Sequence, residues 1–322
     1  MKYLCIKSIL ALLIMLFSAS FTACKKKNEK DLIRIGVLEG PSAVSFIKLI
    51  DEKHIIDGKK VKIIIRNEPF QIQAMMMKNE LDFAVLPTVM AANLYNKGVK
   101  YRMIACPIWG TLYLLSNDEK MQLSEEKIAV FGQNSTADIL TKHLINTGKI
   151  ECQGLDYRFN TNQEVAQALL ARKVKVAVVS EPLVSSLLEK DSNIFIIKKL
   201  TLDGDIENIP KNLFVQSAFL VSDHFIQHHS HLIPQVCNAY VNSCNFVNEN
   251  PEITADLMVK HNIIPNTVIA AKSIELSNIQ YIAVFAILRE LEHYLQIFYS
   301  ENPESIGGKM PDDDFIYQTY SE

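Results

Sequence analysis

Leu32-Ile33-Arg34-Ile35-Gly36-Val37-Leu38 runs into Glu39-Gly40-Pro41-Ser42, and 93 residues later Lys127-Ile128-Ala129-Val130-Phe131 runs into Gly132-Gln133-Asn134-Ser135-Thr136. Each is an apolar, β-branched run broken by small or hydroxyl residues that open a helix. The same offset carries Asp82-Phe83-Ala84-Val85 onto Lys175-Val176-Ala177-Val178, Ser42 onto Ser135 and Pro87 onto Ser180. One offset fitting two separated motifs predicts two similar lobes. Any two lobes of this class can also drift into such matches.

Working outward, strands at 32–38, 60–66, 82–86 and 100–106 alternate with helices over 43–50, 70–78 and from Pro87-Thr88 to about Asn96. The pattern restarts with strands at 127–131, 155–159 and 174–179 and with helices after Asn134, over 163–171 and after Pro182. Such alternation predicts an α/β fold, each lobe a mainly parallel sheet flanked by helices. Residues 201–212 are polar, hold Gly204 and Pro210, and read as a connection. A strand at 214–221 and then almost only helices follow. Helices that cannot stand alone imply that the chain returns to the first lobe. The expected layout is a first lobe of 31–117 and 213–322, a second of 118–212, and a hinge crossed twice.

The N-terminus reads as an export leader. Lys2 and Lys7 precede the apolar run Ile9–Phe17, which is too short to span a bilayer. Residues 1–23 end in Phe21-Thr22-Ala23 before Cys24, similar to a bacterial lipobox with Phe21 where Leu is usual. On that reading Cys24 is acylated, and 24–30 is a lysine-rich tether that anchors the protein to a membrane without spanning it. A plain secretory leader cut after Ala23 is the simpler alternative. Without residues 1–30 the chain keeps 27 basic and 35 acidic residues, a formal net charge of −8. Such an acidic body lacks the footprint of a nucleic-acid binder. Cys106, Cys152, Cys237 and Cys244 remain and read as mostly buried thiols.

Ligands of open α/β sheets bind beyond the carboxyl ends of the strands, at helix N-termini. Four joints carry small polar groups there: Gly40-Pro41-Ser42, Pro87-Thr88, Asn134-Ser135-Thr136 and Ser180-Glu181. Unpaired N–H groups suit a carboxylate, sulfonate or phosphate, so two joints on each lobe could trap an anion. The same residue types are ordinary N-caps. Glu181 could cap its helix or receive an amine or amidine. Trp109, the only tryptophan, lies close to the expected hinge and could stack on a planar ligand or fill the core. His224 and His228, four apart, could share a metal, although no Cys or carboxylate stands in register beside them. No glycine-rich nucleotide fingerprint, H-E-x-x-H or G-x-S-x-G occurs, and no cofactor is expected.

Three stretches resemble the solute-binding proteins of ABC importers, in the nitrate/taurine/sulfonate and thiamine-pyrimidine-precursor group. They are Asn79–Pro87 with Ala91–Gly98 (AANLYNKG), Trp109–Leu114, and Asn302–Phe315 (NPESIGGKMPDDDF). The resemblance covers nearly the whole mature chain. It implies a two-lobed type 2 periplasmic-binding fold that closes over one small solute. The solute would be anionic or amine-bearing, and a membrane permease with its ATPase would receive it. It also implies a monomer in the cell envelope. Family cleft positions would fall on Ser42, Thr88, Asn134, Ser135, Thr136 and Glu181. Many relatives carry a basic residue next to the glycine where this chain has Gln133-Asn134. Enzymes on the same fold and a metal-capturing lipoprotein are the rival readings; the export leader argues against the first.

Overall fold

A computed structural model describes residues 32–202 and 214–318. The expected leader, Cys24, the tether and most of the expected connection at 201–212 lie outside the described residues. Twelve strands are described: β1 (Leu32–Leu38), β2 (Ile55–Ile56), β3 (Lys59–Arg66), β4 (Phe83–Pro87), β5 (Tyr101–Ile108), β6 (Leu112–Ser116), β7 (Lys127–Ala129), β8 (Gly154–Asp156), β9 (Val176–Ser180), β10 (Phe195–Lys199), β11 (Ser217–Ser222) and β12 (Ile279–Ala283). The helices are α1 (Pro41–Val44), α2 (Ile47–Glu52), α3 (Pro69–Met77), α4 (Thr88–Asn96), α5 (Thr136–Asn146), α6 (Asn162–Leu170), α7 (Leu183–Lys190), α8 (Asp223–His229), α9 (Ile233–Glu249), α10 (Pro251–Lys260), α11 (Thr267–Ser277) and α12 (Leu288–Glu301). None of the described helices is long and apolar enough to cross a membrane.

The strands form two sheets, ordered β12-β5-β11-β4-β1-β3-β2 and β10-β6-β9-β7-β8. The 93-residue offset holds in the pairing itself. Ile35 pairs with Phe83 and Gly36 with Ala84; Ile128 pairs with Val176 and Ala129 with Ala177. In each sheet the leading strand lies between two parallel neighbours, β3 and β4 around β1, β8 and β9 around β7.

Two expectations are corrected. The sheets are mixed, because β11 runs against β4 and β5, and β6 runs against β9 and β10. The physical reason is the crossing: β6 and β11 each start at the hinge, where the parallel strands end. The lobe boundary also moves. Residues 112–116 were expected in the first lobe, but Leu112 pairs with Ser180 in the five-stranded sheet. The chain therefore changes sheets at Trp109-Gly110-Thr111. The strands β2 and β10 had no sequence expectation, and β12 falls where almost only helices are expected.

Alternate residues of a strand share one face, and β1 buries Ile33, Ile35 and Val37 fully on one face while Leu32, Arg34 and Leu38 on the other are half-buried. Behind the first sheet Phe46 stacks on Tyr240 at 3.8 Å between ring centres and Phe83 on Phe219 at 5.5 Å. The Tyr240 hydroxyl meets Ser45 Oγ at 2.8 Å, so this core buries no orphaned phenol there. Arg34 ties β1 to β4: its backbone N–H donates to Asp82 Oδ2 at 2.7 Å, and its guanidinium donates to both carboxylate oxygens at 3.1 and 2.9 Å.

The lobes meet in several places. Trp109 bridges Val215 on the returning strand. Gln216 donates from Nε2 to Thr111 Oγ1 at 2.6 Å and accepts the Thr111 N–H at Oε1. The Tyr113 hydroxyl donates to the Leu276 carbonyl at 2.8 Å, and Lys199 Nζ donates to Asn278 Oδ1 at 2.9 Å. Burial holds the Lys199 ammonium below the usual lysine range. The described cysteines are free thiols; Cys106 and Cys244 are buried, Cys152 and Cys237 half-buried.

Candidate ligand cleft

Between the two sheets, at the carboxyl ends of β1, β4, β7 and β9, lies a cleft of about 560 Å³. That volume suits a small organic solute. Ser42, Asn134, Ser135, Thr136 and Glu181 all line it. So do Pro87 and Ser180, the other pair related by the 93-residue offset. Two expected residues stand behind the wall. Thr88 is fully buried between the lining residues Pro87 and Val89, and its Oγ1 has no hydrogen-bond partner. Trp109 is fully buried in the core and donates its indole N–H to the Gln280 carbonyl at 2.8 Å. It packs under the hinge and is not part of the lining, so the stacking alternative is corrected.

The four joints differ in what their helix ends offer. Ser135 caps α5: its Oγ accepts from Asp138 N at 3.3 Å and donates to the Phe131 carbonyl at 2.8 Å. Asn134, at φ 65°, donates its N–H to Asp138 Oδ2 at 2.7 Å. Asp138 is fully buried and also receives Tyr157 Oη at 2.8 Å and Lys142 Nζ at 2.9 Å. The protein's own carboxylate thus takes one N–H of this joint from the core side, while Asn134, Ser135, Thr136 and Ala137 face the cleft. At the β4 joint the Thr88 N–H donates to the Gln216 carbonyl at 3.0 Å. The helix α1 is only four residues long.

Glu181 is 4% exposed, and Ser185 donates to its Oε1 at 2.9 Å. Its Oε2 has no hydrogen-bond partner. Burial pushes this carboxyl up to about 7, against the opposing pull of the Ser185 and Ser273 hydroxyls and of Lys272. The other ionisable side chains of the lining among the described residues, Glu39 and Lys97, are exposed.

Sequence reasoning missed the hinge residues. Thr111, Asn162, Gln216 and Ser217 line the cleft. Thr111 Oγ1 meets Ser180 Oγ at 2.9 Å, and Asn162 exchanges two hydrogen bonds with the Ser180 backbone at 3.0 and 3.1 Å. Thr111 lies inside Trp109–Leu114, one of the stretches of the family likeness, and that membership could have flagged it. The two longest segments of the family likeness prove to be packed together. Asn96 Nδ2 donates to the carbonyls of Ile306 and Lys309 at 2.6 and 2.7 Å, Asn93 Nδ2 donates to those of Glu304 and Ser305, and Tyr95 bonds Asp312. This C-terminal strap holds α4, whose Asn93 lines the cleft together with Ser305.

The histidine cluster is a helix end. His224 and His228 stack at 4.4 Å, and His228 Nδ1 contacts the His224 carbonyl at 2.8 Å. Among the described residues no group of three or more His, Cys, Asp or Glu is placed to hold a metal.

No family model matches the sequence, and no curated protein does. Solved structures do. An ABC transporter protein from Parabacteroides distasonis is 34% identical, with a TM-score of 0.81 over 89% of this chain and 99% of that one. The periplasmic aliphatic sulphonate binding protein SsuA from Escherichia coli shares the fold at 11% identity, with a TM-score of 0.69 over 89% and 92% of the two chains. The ligand binding component of an ABC-type import system from Staphylococcus aureus, with zinc bound, shares it at 16% identity, with a TM-score of 0.67 over 89% and 96%. With the two mixed sheets, the cleft at their strand ends and this identity over nearly the whole Parabacteroides chain, the protein belongs to the solute-binding proteins of ABC transporters.

Proposed function

We propose that this protein is the lipid-anchored substrate-binding component of an ABC importer, which captures one small polar organic solute between its lobes. The observation that carries the reading is the cleft of about 560 Å³ walled by matching joints of both sheets. A solute touching both walls favours the closed arrangement. Only its differential affinity for closed over open can shift that equilibrium. The permease then reads closure, and a separate ATPase drives uptake. The protein itself carries out no chemistry and works as a monomer. Cys24, acylated after removal of residues 1–23, holds it at the cell envelope, and the tether gives it reach.

Native mass spectrometry of the mature chain, residues 24–322 with Cys24→Ser to avoid lipidation, tests the central claim. One small organic molecule per chain, released on denaturation, is the expected result. An empty protein with no thermal shift across carboxylates, sulfonates, amines, amidines and metals would overturn it. The anchor has its own test: wild type should fractionate with membranes, and Cys24→Ser with the soluble fraction. Equal fractionation would remove the anchor from the reading.

A further inference from the structure

Resting on the receptor reading, we propose that the solute carries a cationic nitrogen, an amine or amidine, and that Glu181 receives it. Three independent observations lead there.

The first is what an anion would find. A buried sulfonate or carboxylate needs a cation or free N–H groups. At the α5 joint the Asn134 N–H is already taken by Asp138 at 2.7 Å. The Thr88 N–H is taken by the Gln216 carbonyl. Among the described residues the basic side chain of the lining, Lys97, is exposed.

The second is Glu181 itself. It is the buried ionisable side chain of the lining, and one of its oxygens is unpartnered while Ser185 fixes the other. An unmatched buried carboxylate oxygen is costly, and an N–H donor of the solute removes that cost. Lys272 and the Ser273 hydroxyl, both on α11, offset its charge only in part.

The third is the rest of the wall. Leu38, Met90, Ile108, Leu112 and Phe131 present apolar surface, and Ser217 Oγ is a buried hydroxyl without a partner. That lining fits an apolar or planar body with a donor-bearing head.

Four probes of one size separate the possibilities: benzamidine, benzamide, benzoate and benzenesulfonate. They are titrated into the Cys24→Ser mature chain, freed of co-purified solute by reversible unfolding, and read by calorimetry and by emission of the single tryptophan, Trp109. Benzamidine should bind at least about tenfold tighter than either anion, the scale of a charge-assisted hydrogen bond. Glu181→Gln should bring benzamidine down to the level of benzamide. Tighter binding of benzoate or benzenesulfonate overturns the inference and leaves the receptor reading standing. So does a Glu181→Gln variant that keeps the full amidine preference. Should Glu181→Gln not fold, the charge ranking on the parent protein decides alone. If no probe binds, no solute co-purifies and the wider screen of carboxylates, sulfonates, amines, amidines and metals gives no thermal shift, the receptor reading falls as well.

Discussion

Gly40 of the first lobe lies against Pro182 of the second: a Cβ built on Gly40 would stand 2.9 Å from Pro182 Cδ. The two residues belong to joints on opposite walls of the cleft, so this contact sets how closely the walls approach. Gly40 also sits at φ 88°, ψ −140°, a conformation that L side chains rarely adopt. Gly40→Ala should therefore prop the joints apart and strain the backbone by about 1–3 kcal/mol. The expected outcome is a lower melting temperature and weaker solute binding, seen by calorimetry, with a larger radius of gyration by X-ray scattering. Unchanged affinity and radius would show that the contact does not limit closure.

Glu181 gives a pH signature with a defined sign. Its carboxyl stands at about 7 in the folded protein against 4.5 as the reference value. The folded state thus holds a proton that the unfolded chain releases between those values. Stability falls as pH rises from about 4.5 to about 7, by at most about 3 kcal/mol. Denaturant melts of Glu181→Gln should lack this slope. A cation that needs the carboxylate competes with the same proton, so benzamidine affinity should rise by about tenfold per unit below pH 7 and level off above it. The neighbouring charges to hold in mind are Lys272 on α11 and, through Tyr113 on β6, Glu275.

Asp82 should matter for stability and not for binding. It is 6% exposed and takes the backbone N–H and both guanidinium bonds of Arg34. Asp82→Ala leaves a half-buried guanidinium without this partner, at a cost of about 3 kcal/mol. Equilibrium unfolding should show the loss, while solute affinity of the folded fraction stays within about twofold.

Trp109→Phe should behave as a core change. It removes the bond to the Gln280 carbonyl and leaves that carbonyl and some volume unmatched, for about 1–3 kcal/mol. Solute affinity should hold, whereas a large selective loss of binding would put Trp109 back in contact with the solute.

Gly307→Ala probes the C-terminal strap. Gly307 sits at φ 84°, and a Cβ there would fall 2.8 Å from Asn96 Cβ and 3.2 Å from the Asn93 carbonyl oxygen. The strap should loosen from α4, so limited proteolysis should trim the C-terminus faster than in wild type. An unchanged cleavage rate would detach the strap from the positioning of α4.

The offset of 93 residues was legible because parallel strand–helix units repeat a local grammar, and the pairs Ile35–Phe83 and Ile128–Val176 show it carried into register. The placement of β6 was not. Whether Leu112 joins one sheet or the other depends on its meeting Ser180, 68 positions away, and nothing in LYLLS encodes that partner. The strand β12 was hidden for the same reason: it pairs with β5 more than 170 positions earlier. Five of the seven expected cleft residues line the cavity, since a strand-to-helix joint fixes its own geometry. Gln216 and Asn162 escaped notice because a polar residue on a crossing strand or at a helix start looks like any other.

The sequence by itself determined the alternation of strands and helices, the positions of the joints and the residue types available there, since all of these follow from short-range periodicity and capping chemistry. Only the tertiary structure decided what those joints do. Asp138 folds back onto the Asn134 N–H, while burial between α7 and α11 leaves Glu181 with one oxygen unmatched. Both outcomes depend on which groups remain unpaired once distant segments have packed, and spacing along one chain does not record that.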